Sequence, residues 1–187
     1  MRTPGFDPAF ILVQGIQVPH VGDAATARAA VEAVRYPPLG ERGIAAGSRA
    51  AEFGRIPLVE HMEQSSREIL LACMIEDMAA VERIDEITSA AGVDLLAVGP
   101  SDLSRSLGVS GQPDHPRLVA AIDQDREAVK KSFGARLALP LKHAAFPRNA
   151  AQLRALDTGY TNCALTPAGC ARSAPRPQRS VGPLVDA

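Results

Sequence analysis

The chain has 187 residues, with 20 basic and 21 acidic side chains, 46% hydrophobic residues and no tryptophan. That length supports one domain with a substantial core, and the net charge of -1 with 4% aromatics argues against a nucleic-acid partner or an anionic membrane surface. No apolar run nears the roughly 20 residues that span a bilayer, and the opening MRTPGFDPAF lacks the apolar core of a signal peptide, so a cytoplasmic protein is expected.

Residues 1–9 form an irregular entry. Residues 10–21 are apolar and β-branched, with Pro19 where a strand would stop. A turn at Gln14 and Gly15 would narrow that strand to Gly15–Val18. Asp23 is placed to cap a helix over Ala24–Val34, with Ala27, Ala30, Val31 and Val34 on one face. RYPPLGERG, residues 35–43, is a shaped loop: its paired prolines forbid regular structure, and Gly40 and Gly43 admit positive φ. Residues 48–53 read as a short helix ended by Gly54. Residues 58–65 read as helix or loop rather than strand.

A strand follows over residues 68–75. Cys73 lies inside it and is expected to be a small buried hydrophobe. With Cys163 and Cys170 it makes three cysteines, too few and irregular for a disulfide scaffold or a zinc site. Asp77 can cap a helix in which Met78, Val81, Ile84, Ile87 and Ala91 recur at helical spacing, with Glu82, Arg83, Asp85 and Glu86 on a solvated face. Gly92 ends it. Residues 93–98 are a continuous apolar strand, as in a sheet covered on both faces. Gly99-Pro100-Ser101-Asp102 then turns into a short helical segment ending near Gly108. After a polar loop at 112–115, residues 116–132 form a helix with Leu118, Ile122 and Val129 inward and the charges of residues 123–127 outward. A strand over 136–141, a helix over 149–156 stopped by Gly159, and a weak strand over 160–166 complete one domain, residues 1–166. Residues 167–187 read as a flexible tail. Strands alternating with helices predict a parallel α/β fold of about five strands, short of the eight in a closed barrel.

Glu76 closes one strand and Asp102 follows the next. Both acids therefore stand at C-terminal strand ends one βα unit apart, on the rim where such folds place their chemistry. Two carboxylates there can seat a hard divalent cation, with water and substrate completing its shell. A 2-oxo acid would chelate that cation, whose Lewis acidity stabilises an enolate. The plainer alternative has Glu76 beginning a helix surface and Asp102 capping the next helix. The N–H groups of Ser101 and Asp102 could hold a substrate carboxylate at a helix start, or simply form an ordinary turn. His20, beside Pro19, is on the same rim and is a candidate general base, against the plainer reading of a solvent-facing histidine. His61, His115 and His143 read as surface residues, Arg42 and Arg49 as loop residues that could reach an anion but more simply bridge backbone or meet solvent, and Asp94 as opening its strand at the opposite rim.

The run MIEDMAAVERIDEI, followed by GVDLLAVGPSDLSRSLG, resembles the HpcH/HpaI aldolase family of metal-dependent class II pyruvate aldolases, which includes 4-hydroxy-2-oxoheptanedioate aldolase. RYPPLGERG with SRAAEFG resembles its proline-rich loop, GIQVPHVGDAATARAAVEAV its preceding strand and helix, and NAAQLRALDTGY a late segment. The resemblance implies a partial TIM (β/α)8 barrel, about five C-terminal βα units of eight. It implies Mg2+ or Mn2+, with Co2+ a further option, held by Glu76 and Asp102, and a pyruvate carboxylate on the amides of Ser101 and Asp102. The reaction it implies is reversible cleavage of a 4-hydroxy-2-oxo acid to pyruvate and an aldehyde, in a homo-oligomer. The likeness begins at the family's fourth strand, so the units supplying its His/Asp proton-transfer pair and oxo-acid arginine have no counterpart. NCALTPAGC also departs from the family's Gly-and-Asp ending. Three readings stay open: an aldolase, a non-catalytic remnant or assembly partner, and an acyl-CoA lyase of the citrate-lyase β-like group.

Overall fold

Side chains alternate along the strands in two sets, and that alternation divides the molecule. The computed structural model describes residues 15–132, 134–141, 143 and 158–163. Strands β1 (Gly15–Val18), β2 (Leu70–Ile75), β3 (Leu95–Val98), β4 (Arg136–Leu141) and β5 (Thr158–Cys163) make one all-parallel sheet in the order β1-β2-β3-β4-β5. Leu71, Cys73 and Ile75 of β2, Leu96 and Val98 of β3, and Leu137 and Leu139 of β4 join the core shared with the helices. The intervening residues Ala72, Met74, Leu95, Ala97 and Ala138 form a separate, smaller cluster on the other face. Strand order follows chain order with no reversal, so the crossover helices gather on one side. This is the wall of a barrel rather than a doubly wound sheet. The small residues line its inner face.

The helices are α1 (Ala24–Val34), α2 (Leu58–Glu68), α3 (Met78–Glu82), α4 (Ile84–Thr88), α5 (Pro100–Ser106) and α6 (Pro116–Lys131). Asp23 caps α1 by accepting the Thr26 N–H at 2.7 Å, and Asp77 caps α3 by accepting that of Ala80 at 2.8 Å. Both caps agree with expectation. Gly92, expected to end the helix, lies beyond it: α4 stops at Thr88 with Ser89 as its C-cap, and Gly92, at φ 97, sits in the turn that leads to β3.

Several expectations are corrected. The helix expected from Met78 onward is broken at Arg83 (φ -111, ψ 19), and Ala90 rather than Ala91 is the buried alanine beyond it. Helix α2 runs through Glu68, so β2 opens at Leu70; β3 opens at Leu95 rather than at residue 93. Gly159 lies inside β5 instead of stopping a helix before it. The short helix near residue 50 is a 3-10 turn, Arg49–Gly54, with Glu52 and Phe53 in left-handed backbone. The charge run of α6 is not wholly outward, because Asp125 is fully buried. Residues 1–14, the helix expected over 149–156, the strand end at 164–166 and the tail lie outside the described residues.

The N-terminal rim is tied by Arg35, 3% exposed at the end of α1. Its guanidinium donates to the carbonyls of Ser66 (3.1 Å), Ile69 (2.7 Å) and Gly92 (3.0 Å) and pairs with the Asp94 carboxylate. Asp94 also accepts the Leu71 N–H at 2.6 Å. One planar fork with five N–H groups thus joins α1, the approach to β2 and the approach to β3. Beside it, Arg42 stacks over Tyr36 with 4.9 Å to the ring centroid, and His61 meets the same ring edge-on.

Candidate functional site

The two-residue period that separates the sheet's faces also aims Glu76. It has the same parity as Ala72 and Met74, so it follows them onto the inner face at the C-terminal rim. Ile75 pairs with Val98, and the Gly99 N–H donates to the Ile75 carbonyl at 2.9 Å, which sets Glu76 opposite Gly99. A Cβ at Gly99 would lie 2.8 Å from Glu76 Cβ, 2.9 Å from Oε2 and 3.2 Å from Met74 Cε. Glycine leaves the carboxylate its place; any other residue would push it aside.

Glu76 is 4% exposed. Its Oε1 accepts the backbone N–H of His20 at 2.7 Å, and His20 Nδ1 lies 3.1 Å from the same oxygen. Among the described residues no donor reaches Oε2. A buried carboxylate with one oxygen so lightly compensated is chemically suited to meet a cation. The plainer alternative, that Glu76 begins a helix surface, is excluded by its burial.

Asp102 is the third residue of α5, whose N-cap is Gly99 and whose first position is Pro100. Its carboxylate makes no cap. It meets Arg105 at 3.3 Å, with both side chains largely in solvent, a pair weak enough for another cation to displace. Ser101 is exposed beside it. As first-turn residues, Ser101 and Asp102 have N–H groups without partners inside α5. The donor set is therefore two hard carboxylates, one buried and one accessible. Among the described residues no cluster of three or more His, Cys, Asp or Glu is assembled. That composition suits an ion such as Mg2+, which keeps several waters and takes only one or two protein carboxylates.

The remaining candidates separate clearly. His20 is on the rim with Glu76, its imidazole 64% exposed. His115 accepts the Arg117 N–H at 3.2 Å and so caps α6. His61, expected at the surface, is 3% exposed; burial, and after it the charge of Arg42, hold its pKa below the ordinary value. His143 is half-buried, and burial lowers its pKa too. Arg42 is buried in the loop, while Arg49 is exposed. Asp94 is at the opposite rim, as expected, engaged by Arg35. Burial pushes the Cys73 thiol up to about 12, consistent with a passive core residue. Two contributors escaped the sequence: the backbone N–H of His20, because its φ of 54 leaves no trace in composition, and Gly99, whose position before a proline reads only as a turn.

No helix is long and apolar enough to cross a membrane among the described residues. The sequence profile of the HpcH/HpaI aldolase/citrate lyase family matches residues 9–157. A pyruvate aldolase of Rhizobium etli is 42% identical over 129 residues, 66% of this chain and 50% of that protein. A 4-hydroxy-2-oxo-heptane-1,7-dioate aldolase of Escherichia coli is 37% identical over 120 residues, 64% of this chain and 45% of that protein. The solved structure of an HpcH/HpaI aldolase from Desulfitobacterium hafniense superposes with a TM-score of 0.74 at 28% identity, over 87% of this chain and 61% of that one. The chain spans about half the length of the curated relatives it matches. The singly wound parallel sheet, the rim acids and the match over most of the sequence agree: this chain belongs to the HpcH/HpaI aldolase/citrate lyase family.

Proposed function

We propose that the chain binds a divalent cation, Mg2+ or Mn2+, through Glu76 and Asp102, and beside it a small 2-oxo acid such as pyruvate, as the seat of a carbon–carbon lyase reaction on 4-hydroxy-2-oxo acids. The observation that carries this reading is the buried Glu76 carboxylate, held on Oε1 and without a donor on Oε2 among the described residues, beside the space that Gly99 leaves. When bound, the metal supplies Lewis acidity at the keto oxygen, lowering the cost of enolate character. Three further features of the chain support the reading. The N–H groups of Ser101 and Asp102 are oriented for the substrate carboxylate, and Gly99 leaves the acid unobstructed. His20 is the described rim side chain able to hold or move a proton. A cytoplasmic homo-oligomer belongs to the same proposal.

Binding and turnover are separate claims, since the matched residues cover about half of each relative. Titration calorimetry with Mn2+ and then pyruvate tests the first. Glu76→Ala should abolish the Mn2+ heat; an unchanged isotherm would remove the metal assignment. Aldol cleavage is assayed on the chain alone and with a full-length family aldolase added. Turnover by the isolated chain would refute a non-catalytic remnant; an inactive chain that changes the rate of the full-length aldolase relative to that aldolase alone would favour an assembly partner.

A further inference from the structure

We infer that His20 is a positioning residue for Glu76, whose backbone N–H decides which carboxylate oxygen is left to meet a cation. The inference rests on the metal-binding reading above and deepens it, from which residues bind to how the buried one is presented. His20 has φ 54, in the left-handed region, and there its N–H points at Glu76 Oε1 from 2.7 Å. Its Nδ1 is also drawn to that oxygen, at 3.1 Å. Oε2, by contrast, receives no donor among the described residues and faces the space left by the absent Cβ of Gly99. A carboxylate held this way is engaged on one oxygen and open on the other, so it meets a cation through Oε2 alone.

The link joins different strand ends. His20 follows β1 and Glu76 follows β2, 56 residues later. One residue on, the Val21 N–H donates to the Met74 carbonyl at 3.3 Å, so the segment after β1 is tied twice to the end of β2. Pro19, with its restricted φ, leads into the turn. What the position requires is a residue that tolerates positive φ. Histidine and asparagine do so more readily than most, glycine does so freely, and a β-branched residue resists it. Removing a hydrogen bond that orients a ligating carboxylate commonly weakens metal affinity about 10- to 100-fold.

The prediction therefore separates backbone from side chain. The full chain is compared with His20→Asn, His20→Gly, His20→Val and Glu76→Gln, using Mn2+ as the probe and electron paramagnetic resonance of free Mn2+ as the readout. His20→Asn and His20→Gly should bind within about threefold of the parent, because each keeps the N–H in place. His20→Val, at native circular dichroism, should bind about 10- to 100-fold more weakly, and Glu76→Gln should not bind. Infrared spectra with labelled glutamate on Mg2+ addition give a second readout. The parent should show the wide antisymmetric–symmetric splitting of a carboxylate coordinated by one oxygen. Should His20→Val fail to fold, His20→Ala and the infrared splitting of the parent decide instead. Parent-like Mn2+ affinity in the folded His20→Val or His20→Ala, with Glu76→Gln inactive in binding, overturns the positioning role alone. A narrow, two-oxygen splitting in the parent does the same. Parent-like binding by Glu76→Gln removes the metal reading and this inference with it.

Discussion

Asp125 is the residue least expected from the sequence. It lies in a charged run, Asp123 to Glu127, yet it is fully buried on the inward side of α6 with Ile122 and Val129, and neither oxygen has a hydrogen-bond partner among the described residues. Helical phase placed it there: it is three residues past Ile122 and four before Val129. Burial pushes its carboxyl from the ordinary 3.8 up to about 8. Between those values the folded chain keeps a proton that the unfolded chain has lost. Stability therefore declines as pH rises through the window, by at most about 1.4 kcal/mol per pH unit, and levels off above it. Asp125→Asn should lack this decline, so its urea midpoint should gain on the parent's steadily between about pH 4 and pH 8. Parallel pH profiles would show that the carboxyl is solvated. Gly99 makes the opposite case, a residue defined by what it lacks. Gly99→Ala places a methyl 2.8 Å from Glu76 Cβ, and the displaced carboxylate should lose at least about tenfold in Mn2+ affinity, about 1.4 kcal/mol, in calorimetry at unchanged secondary structure.

At the scale of elements, the regular pieces were legible because local signals agree. Helix α1 has a capping Asp23 and an apolar stripe, and β2 and β3 are short continuous apolar runs. The boundaries were less so. No apolar pattern marks the end of α2, where Glu68 belongs to the helix and Ile69 turns into β2. The break at Arg83 is invisible to periodicity, since Val81, Ile84 and Ile87 stay inward on both sides of it. The metal-ligand candidates could be read from strand-end logic, whereas the partners that hold the elements in place could not. Arg35 looked like the start of a loop and is instead a buried junction of α1, β2 and β3. Arg35→Met leaves three carbonyls and the half-exposed Asp94 carboxylate without their donor. It should cost roughly 2–4 kcal/mol in urea denaturation. Arg35→Lys should recover only part of that, because an ammonium cannot reproduce the planar fork. A loss under about 0.5 kcal/mol would make the junction incidental.

Across the whole molecule, one face of the sheet is built for packing and the other for access. The helix-facing side carries leucine, isoleucine and valine, while the inner face carries Ala72, Ala97 and Ala138 beneath the rim. The pairing of β3 with β4 extends this arrangement upward. Ala97 pairs with Ala138, so two residues further along Pro140 stands level with Gly99, and Gly99 with Glu76. Proline has no N–H, and its ring carries neither charge nor donor. At this level β4 therefore offers no donor from Pro140, while the segment after β1 carries His20. Among the described residues the backbone donor that meets the carboxylate at this level comes from the β1 side, 56 residues before the acid it holds, so the placement of Glu76 depends on the docking of β1 against β2 as much as on β2 itself.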